Sequence, residues 1–328
     1  MRRFLMQISA VLLMASTILT SCRYKELCYE HDHGLDYNLI LKLTLDLEVD
    51  SNLDVSDEAH TKIHIPTYMV VNFYDITSGD LKKQEFVGPY GGPLSVSPGT
   101  YDMVVYAFDT EWTQERGEGN RKTLEAFTSD ITAMKSPMFA LFGQKDSTTA
   151  PGPIIYTPDH LLVARKRVEI PQPSYEQQVI TVEATASTII ETYEFEVTNI
   201  DGIEYISSVE AFVTNQARSN FFGRGEVNAD PATIYFPVGV SRKKGMLKTT
   251  FNTFGKLPGE SHSYLNIIVV NSEGKPFIYI ADITEQFEDT THTIVIEDSI
   301  HIPAPTPAGG ISPTVEEWTE EIHDVPLG

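Results

Sequence analysis

His31-Asp32-His33 is the one compact cluster of metal-ligand residue types in the chain. A metal site there would need a third and fourth ligand from elsewhere, and Asp159 and His160 are candidates by type. The alternative is a polar spacer whose side chains are exposed or hydrogen-bonded to a loop. Tyr90, in a Gly/Pro turn, together with Trp112 and Trp318, could stack on sugar rings if exposed, or pack in a core or its rim. Asp146-Ser-Thr, Asp289-Thr-Thr and Asp298-Ser-Ile each fit a three-residue O-glycosylation pattern. There is no His-Glu-x-x-His, no Gly-x-Ser-x-Gly, no P-loop and no dinucleotide glycine fingerprint. The expectation is a non-catalytic protein with no cofactor and no bound metal.

The other reactive residue is Cys22. Arg2 and Arg3 are followed by a largely apolar stretch from Phe4 to Leu19, and Leu19-Thr20-Ser21-Cys22 closes it. Basic end, apolar stretch and small residues are the order of an export signal. The last four residues match a bacterial lipobox, in which the cysteine sulfur is joined to a diacylglycerol, the signal is cut before it and the new amine is acylated. Residues 1–21 are then a lipoprotein signal peptide and Cys22 the anchor. A membrane-spanning helix needs about 20 apolar residues, whereas this stretch is shorter and contains Gln7, Ser9, Ser16 and Thr17. One acyl chain holds a protein only marginally, but three would hold it firmly. The expected location is the outer membrane, on either face.

Charge excludes other partners. Residues 1–21 carry Arg2 and Arg3 and no acids, so their loss takes the 24 basic residues to 22 against 46 acidic ones, a formal charge of −24. That argues against nucleic acid, where basic stripes supply affinity, and against electrostatic binding to anionic lipid. The hydrophobic fraction of 41% suffices for real cores. Of the two cysteines, lipid on Cys22 leaves Cys28 without a partner, as a buried small hydrophobe or a free thiol, and a disulfide framework is excluded.

These residues must be positioned by strands. After a spacer, residues 22–34, Leu35, Tyr37, Leu39, Leu41, Leu43, Leu45, Leu47 and Val49 fall on alternate positions, with one apolar residue, Ile40, among those between. That is a half-buried strand. At about 3.4 Å per residue it would run roughly 50 Å, so a bend, a bulge or a passage between sheets is expected. Strands are predicted at Tyr68–Ile76, Leu81–Val87, either side of a Pro98-Gly99 corner between Leu94 and Phe108, and at Val163–Ile170, with a short helix around Arg121–Phe127. Pro171-Gln-Pro173 marks a boundary. The second half repeats the grammar: Gln178–Ala184, Ile189–Ile200 with an Asp201-Gly202 hairpin turn to Tyr205–Val213, Thr233–Pro237, Met246–Phe254, a hairpin over Tyr264–Ile283, and Thr291–Ile296. Strands every ten or so residues predict an all-β protein of two β-sandwiches, residues 35–170 and 171–300. Residues 301–328 are a Pro/Gly linker and an acidic tail. Val315, Trp318, Ile322, Val325 and Leu327 space its apolar residues, as in a disordered tail or a peptide that docks on a partner.

The chain resembles the fimbrillin-related lipoproteins of Bacteroidales bacteria, the Mfa-like and FimB-like accessory group. The resemblance rests on the lipobox and the following Lys25–Gly34, on Val96-Ser-Pro-Gly-Thr-Tyr101, on Pro158-Asp-His-Leu161 and on Tyr193–Tyr205. It implies two tandem transthyretin-like β-sandwiches and a role in surface fimbriae, with fimbrial subunits as protein partners. Polymerising members lose their first strand to a protease that, in the best-known case, cuts after arginine, and a neighbour's strand fills the gap. No arginine lies between Arg23 and Arg116 here, which favours a subunit that keeps its first strand, as an anchor or accessory would. The expected function is a lipid-anchored anchor or accessory subunit acting by strand addition. The alternative is a surface glycan-binding lipoprotein.

Overall fold

The computed structural model describes residues 37–49, 62–107, 110–131, 152–172, 179–259, 262–287, 291–297, 299–305 and 322–325. All belong to one compact unit, Tyr37–Gly328. Among the described residues the only helical element is a 3-10 turn at Ile203–Tyr205. None of the described helical segments is long and apolar enough to cross a membrane.

The first ten strands are β1 (Leu39–Leu45), β2 (Met69–Asp75), β3 (Leu81–Val87), β4 (Gly91–Leu94), β5 (Gly99–Ala107), β6 (Gln114–Arg116), β7 (Glu125–Phe127), β8 (Ile154–Tyr156), β9 (Leu162–Ile170) and β10 (Ile180–Thr188). Seven of them form a ladder in the order β3-β2-β5-β9-β10-β1-β4. The alternation read in the sequence sets β1. Leu39, Leu41 and Leu43 are buried, while Lys42 and Thr44 face solvent. The strand stops at Leu45, well short of the predicted Val49, and Leu47 is exposed. Residues 35, 36 and 50 lie outside the described residues. The expected passage between sheets is not made by β1; a switch of partners occurs instead on β10, which pairs with β1 over Ile180–Ala186 and with β9 at Ser187 and Thr188. Strand 180–188, read in sequence as part of the second half, is thus laddered to the first strand. Its composition announces a strand but carries no mark of its partner.

The turn chemistry is local. Asp75 Oδ1 accepts hydrogen bonds from the Thr77 and Ser78 N–H groups, both 2.9 Å, and Gly79 takes φ 80°. Tyr101 donates its hydroxyl to the Ser97 carbonyl at 3.0 Å, closing the Pro98-Gly99 corner. The helix expected around Arg121–Phe127 is absent. Residues 125–127 are β7, paired with β6, because Glu125 and Ala126 are buried between neighbouring strands.

The remaining strands are β11 (Glu191–Val197), β12 (Ile200–Asp201), β13 (Ile206–Ala217), β14 (Ser219–Phe221), β15 (Glu226–Val227), β16 (Pro231–Pro237), β17 (Gly239–Ser241), β18 (Met246–Thr253), β19 (Tyr264–Asn271), β20 (Pro276–Asp282), β21 (Thr293–Ile296), β22 (Ile300–His301) and β23 (Ile322–Val325). Four make the sheet β17-β18-β11-β21, and five join β8 in the six-stranded sheet β23-β20-β19-β13-β16-β8. Aromatic rings from both sheets share one core: Phe236 of β16 stacks on Phe251 of β18 at 4.3 Å, and Phe195 of β11 meets Phe236 edge-on at 6.4 Å. The hairpin over 264–282 forms as predicted, with Asn271 Oδ1 accepting from the Glu273 and Lys275 N–H groups. Asp201-Gly202 is not a hairpin turn. It carries the chain from the four-stranded sheet to the six-stranded one, since β11 pairs with β18 and β21 whereas β13 pairs with β16 and β19.

The two halves of the chain interleave. β8 pairs in parallel with β16, and β7 pairs with β14 in a small sheet ordered β15-β14-β7-β6. The turn after β14 covers the β5 face that carries Tyr106: Phe222 packs edge-on against Tyr106 at 5.1 Å, and Arg165 donates to the Phe222 carbonyl at 3.0 Å. For this reason β2 is buried at both its even and its odd positions.

Candidate functional site

Three places in the fold could engage another molecule. The first is the outer edge of the six-stranded sheet. β20 has β19 on one side and, on the other, the tail strand β23, in parallel register from Ile278↔Ile322 to Ala281↔Val325. Ile322 and Val325 of the predicted docking tail are therefore strand residues added to a sheet edge. Val315, Trp318 and Leu327 lie outside the described residues, as do Cys22, Cys28 and His31-Asp32-His33.

The second is the seam that holds β1. β1 lies between β10, parallel over seven residue pairs, and β4, antiparallel over four. Gly91 sits at φ 95°, and a β-carbon there would collide with the Leu41 carbonyl, so only glycine lets the β3–β4 turn press onto β1. Asn38, just before β1, donates its backbone N–H to the Leu94 carbonyl (3.1 Å) and accepts at its own carbonyl from the Ile180 N–H (3.0 Å). Its side-chain amide exchanges two further bonds with the Val96 peptide, 2.6 Å to the carbonyl and 3.0 Å from the N–H.

The third is an exposed aromatic corner. Tyr68 and Phe86 meet edge-on at 6.3 Å, with 40% and 58% of their surfaces exposed, and with Val87 and Gly88 they line an open cleft of about 540 Å³. Tyr90 is 62% exposed in the turn after β3. Trp112 is half-buried and packs on Tyr156 at 4.9 Å, which is the rim packing weighed for it. Tyr68 and Phe86 escaped the sequence reading because each falls within or beside a predicted strand, where exposure is set by the sheet's edge.

Asp159 and His160 hold the junction between the halves. The His160 ring contacts the Thr188 hydroxyl through Nδ1 at 2.9 Å and the Thr192 hydroxyl through Nε2 at 3.2 Å, joining the end of β10 to β11. Thr192 donates to Asn252 Oδ1 at 2.8 Å, and Asn252 Nδ2 donates to the Pro158 carbonyl at 2.9 Å. The Trp112 and Thr113 N–H groups donate to the Asp159 carboxylate. Buried polar groups here are satisfied by one another, which makes the junction specific in geometry. Among the described residues no group of three or more His, Cys, Asp or Glu is placed to hold a metal.

Among the described carboxylates, Glu115 has a pH-dependent role. Burial, aided by the Glu118 charge, pushes the Glu115 carboxyl up to about 7. The folded chain then holds this proton more tightly than the unfolded one. The favourable contribution is present at acid pH, and it is lost as pH rises from the ordinary carboxylate range through 7. With screening at a half-buried site the effect is about 1 kcal/mol. Urea denaturation at pH 5 and pH 8 should show a loss at the higher pH that Glu115→Gln reduces. An unchanged pH dependence in that variant would refute the assignment.

A family model described as "Domain of unknown function (DUF5119)" matches residues 21–237. The chain belongs to the DUF5119 family. This DUF5119 chain is also 25% identical over 241 residues to a protein of Bacteroides ovatus named "Putative fimbrium anchoring subunit Fim4B". The match covers 73% of this chain and 62% of that relative's length. A solved structure described as a putative adhesin from Bacteroides ovatus is similar with a TM-score of 0.60 at 20% identity, covering 83% of this chain and 94% of that one. A second putative adhesin from the same species is similar at a TM-score of 0.49 and 10% identity, covering 77% and 79%. The all-β fold read from the sequence is thus the fold of a solved adhesin-like structure.

Proposed function

We propose that this protein is a non-catalytic anchor or accessory subunit of surface fimbriae, hung from the outer membrane by lipid on Cys22 and acting through strand-mediated association. The observation that carries the reading is the similarity over 241 residues to a protein named as a fimbrium anchoring subunit. Two features support it. The β20 edge takes an added strand, β23, in a register of main-chain bonds, which is the physics of strand addition. The first strand is seated between two neighbours, in keeping with a subunit that retains it.

Two measurements test it. Cys22→Ser should abolish fatty-acid labelling and move the protein from the membrane fraction to the soluble one, and full retention of the variant on the membrane would refute the anchor. Native co-purification of the wild-type chain should bring down fimbrial subunits, and recovery of the chain alone would count against the fimbrial role. Glycan capture is the second reading, favoured by the exposed Tyr68, Phe86 and Tyr90. It requires saturable sugar binding that is lost in Phe86→Ala.

A further inference from the structure

The route by which tension would cross the protein can be read from strand directions. A chain held at its Cys22 end enters the described fold at residue 37 and runs into β1. β1 is paired in parallel with β10, from Leu39↔Ile180 to Leu45↔Ala186. β10 leaves that pair at its far end and continues within a few residues into β11 of the four-stranded sheet. The point where tension enters and the point where it leaves therefore lie at opposite ends of one parallel pair. Pulled this way, the two strands are dragged past each other along their axes, and every ladder bond must fail together. An antiparallel pair loaded at its first strand's start and its second strand's end would have both points at one end, and its bonds would open singly.

Both ends of the pair are reinforced by side chains. At the loading end Asn38 makes four hydrogen bonds, to Leu94, Ile180 and both polar groups of the Val96 peptide. At the exit end His160 bridges Thr188 and Thr192, the last residue of β10 and the second of β11. At the far end of β1 the Asp46 N–H donates to the Ala186 carbonyl at 2.9 Å. Leu39, Leu41 and Leu43 keep water from these bonds.

We propose that β1 and β10 form a shear clamp that passes tension from the Cys22 end to the second half of the chain, with Asn38 pinning the point of loading. The proposal rests on the reading of Cys22 as the held end. It is tested by single-molecule pulling on the chain from residue 22 onward, carrying Cys28→Ser, with one handle on the Cys22 thiol. The second handle is placed either at Lys244→Cys, beyond β11, or at Gln172→Cys, on the side where β10 begins. The first geometry shears the pair and the second peels it. The first rupture is expected to need about twofold more force in shear than in peel at the same loading rate, since rupture follows the unfolding rate along the pulled direction.

Asn38→Ala should lower the shear rupture force. Asn120→Ala, which removes side-chain bonds to Ser78 and Asp80 away from the β1–β10 pair, should leave it unchanged. Equal forces in the two geometries would overturn the proposal, as would equal effects of the two alanine variants. If Asn38→Ala does not fold, the two geometries on the chain with Asn38 intact decide alone. Because the handle is a thiol, the forces do not depend on whether Cys22 is lipidated in the cell. Fatty-acid labelling reports on that separately, so failure of the anchor and failure of the clamp are distinct results.

Discussion

Phe251→Ala is expected to cost about 3–5 kcal/mol of folding stability, the range for emptying a fully buried aromatic site. Phe251 is inaccessible to solvent in β18, and its ring lies between two others. It stacks on Phe236 of the opposing sheet, 4.3 Å away with planes 4° apart, and on Tyr193 of the neighbouring strand at 5.8 Å. The β18 and β11 backbones are fixed at this point by the Tyr193↔Phe251 pairing, so the strands cannot close over a void without breaking their register. Phe251→Leu refills much of the volume and should recover more than half of the loss. Urea denaturation measures both, and a loss below about 1 kcal/mol for the alanine variant would mean that the two sheets collapse onto each other.

That core was partly legible in the sequence. Tyr193, Phe195 and Val197 alternate, which assigns a strand with one wet face. In the fold Glu194 is buried as well, because Lys248 of the neighbouring strand pairs with it at 2.9 Å and with Glu196 at 2.7 Å. Elements whose signals are local came out correctly: the Pro98-Gly99 corner closed by Tyr101 and the Asn271 hairpin each depend on residues a few positions apart. The misreadings at Asp201-Gly202 and at residues 121–127 concern partners. Asp201-Gly202 makes a turn whatever the strands beside it do, so it could not tell a hairpin from an arch between sheets. Residues 121–127 carry mixed polar and apolar types compatible with a short helix, and only the packing of β6 and β14 against β7 makes them a strand. In the candidate site, the tail's spaced apolar residues were visible, but which edge β23 joins was not. Asn38 was simply a polar residue on a wet position, and its four bonds come from residues 56 or more positions away.

Leu41→Ala is the second large effect, about 2–5 kcal/mol. Leu41 is 1% exposed at the middle of β1, paired with Val182 on one side and Gly92 on the other. Gly92 offers no side chain beyond its own backbone, so nothing on that strand can swing in to replace the lost isobutyl group. The measurement is again urea denaturation, with limited proteolysis between residues 45 and 62 as a second readout. A loosened β1 should make that stretch cleaved faster than in the parent chain, and unchanged cleavage with unchanged stability would show that β1 contributes little to the fold.

The parallel pairing of β1 with β10 also sets a timetable for folding. Leu39 must wait for Ile180, and the intervening chain, roughly 140 residues, has to emerge before the pair can close. As the chain emerges from its N-terminal end, the first strand to appear is therefore among the last to be seated. Throughout that interval its row of leucines is open to any unpaired edge nearby. Lys42 on its other face, with Asp46 and Glu48 just after the strand, interrupts the apolar run with charge until its own partner appears.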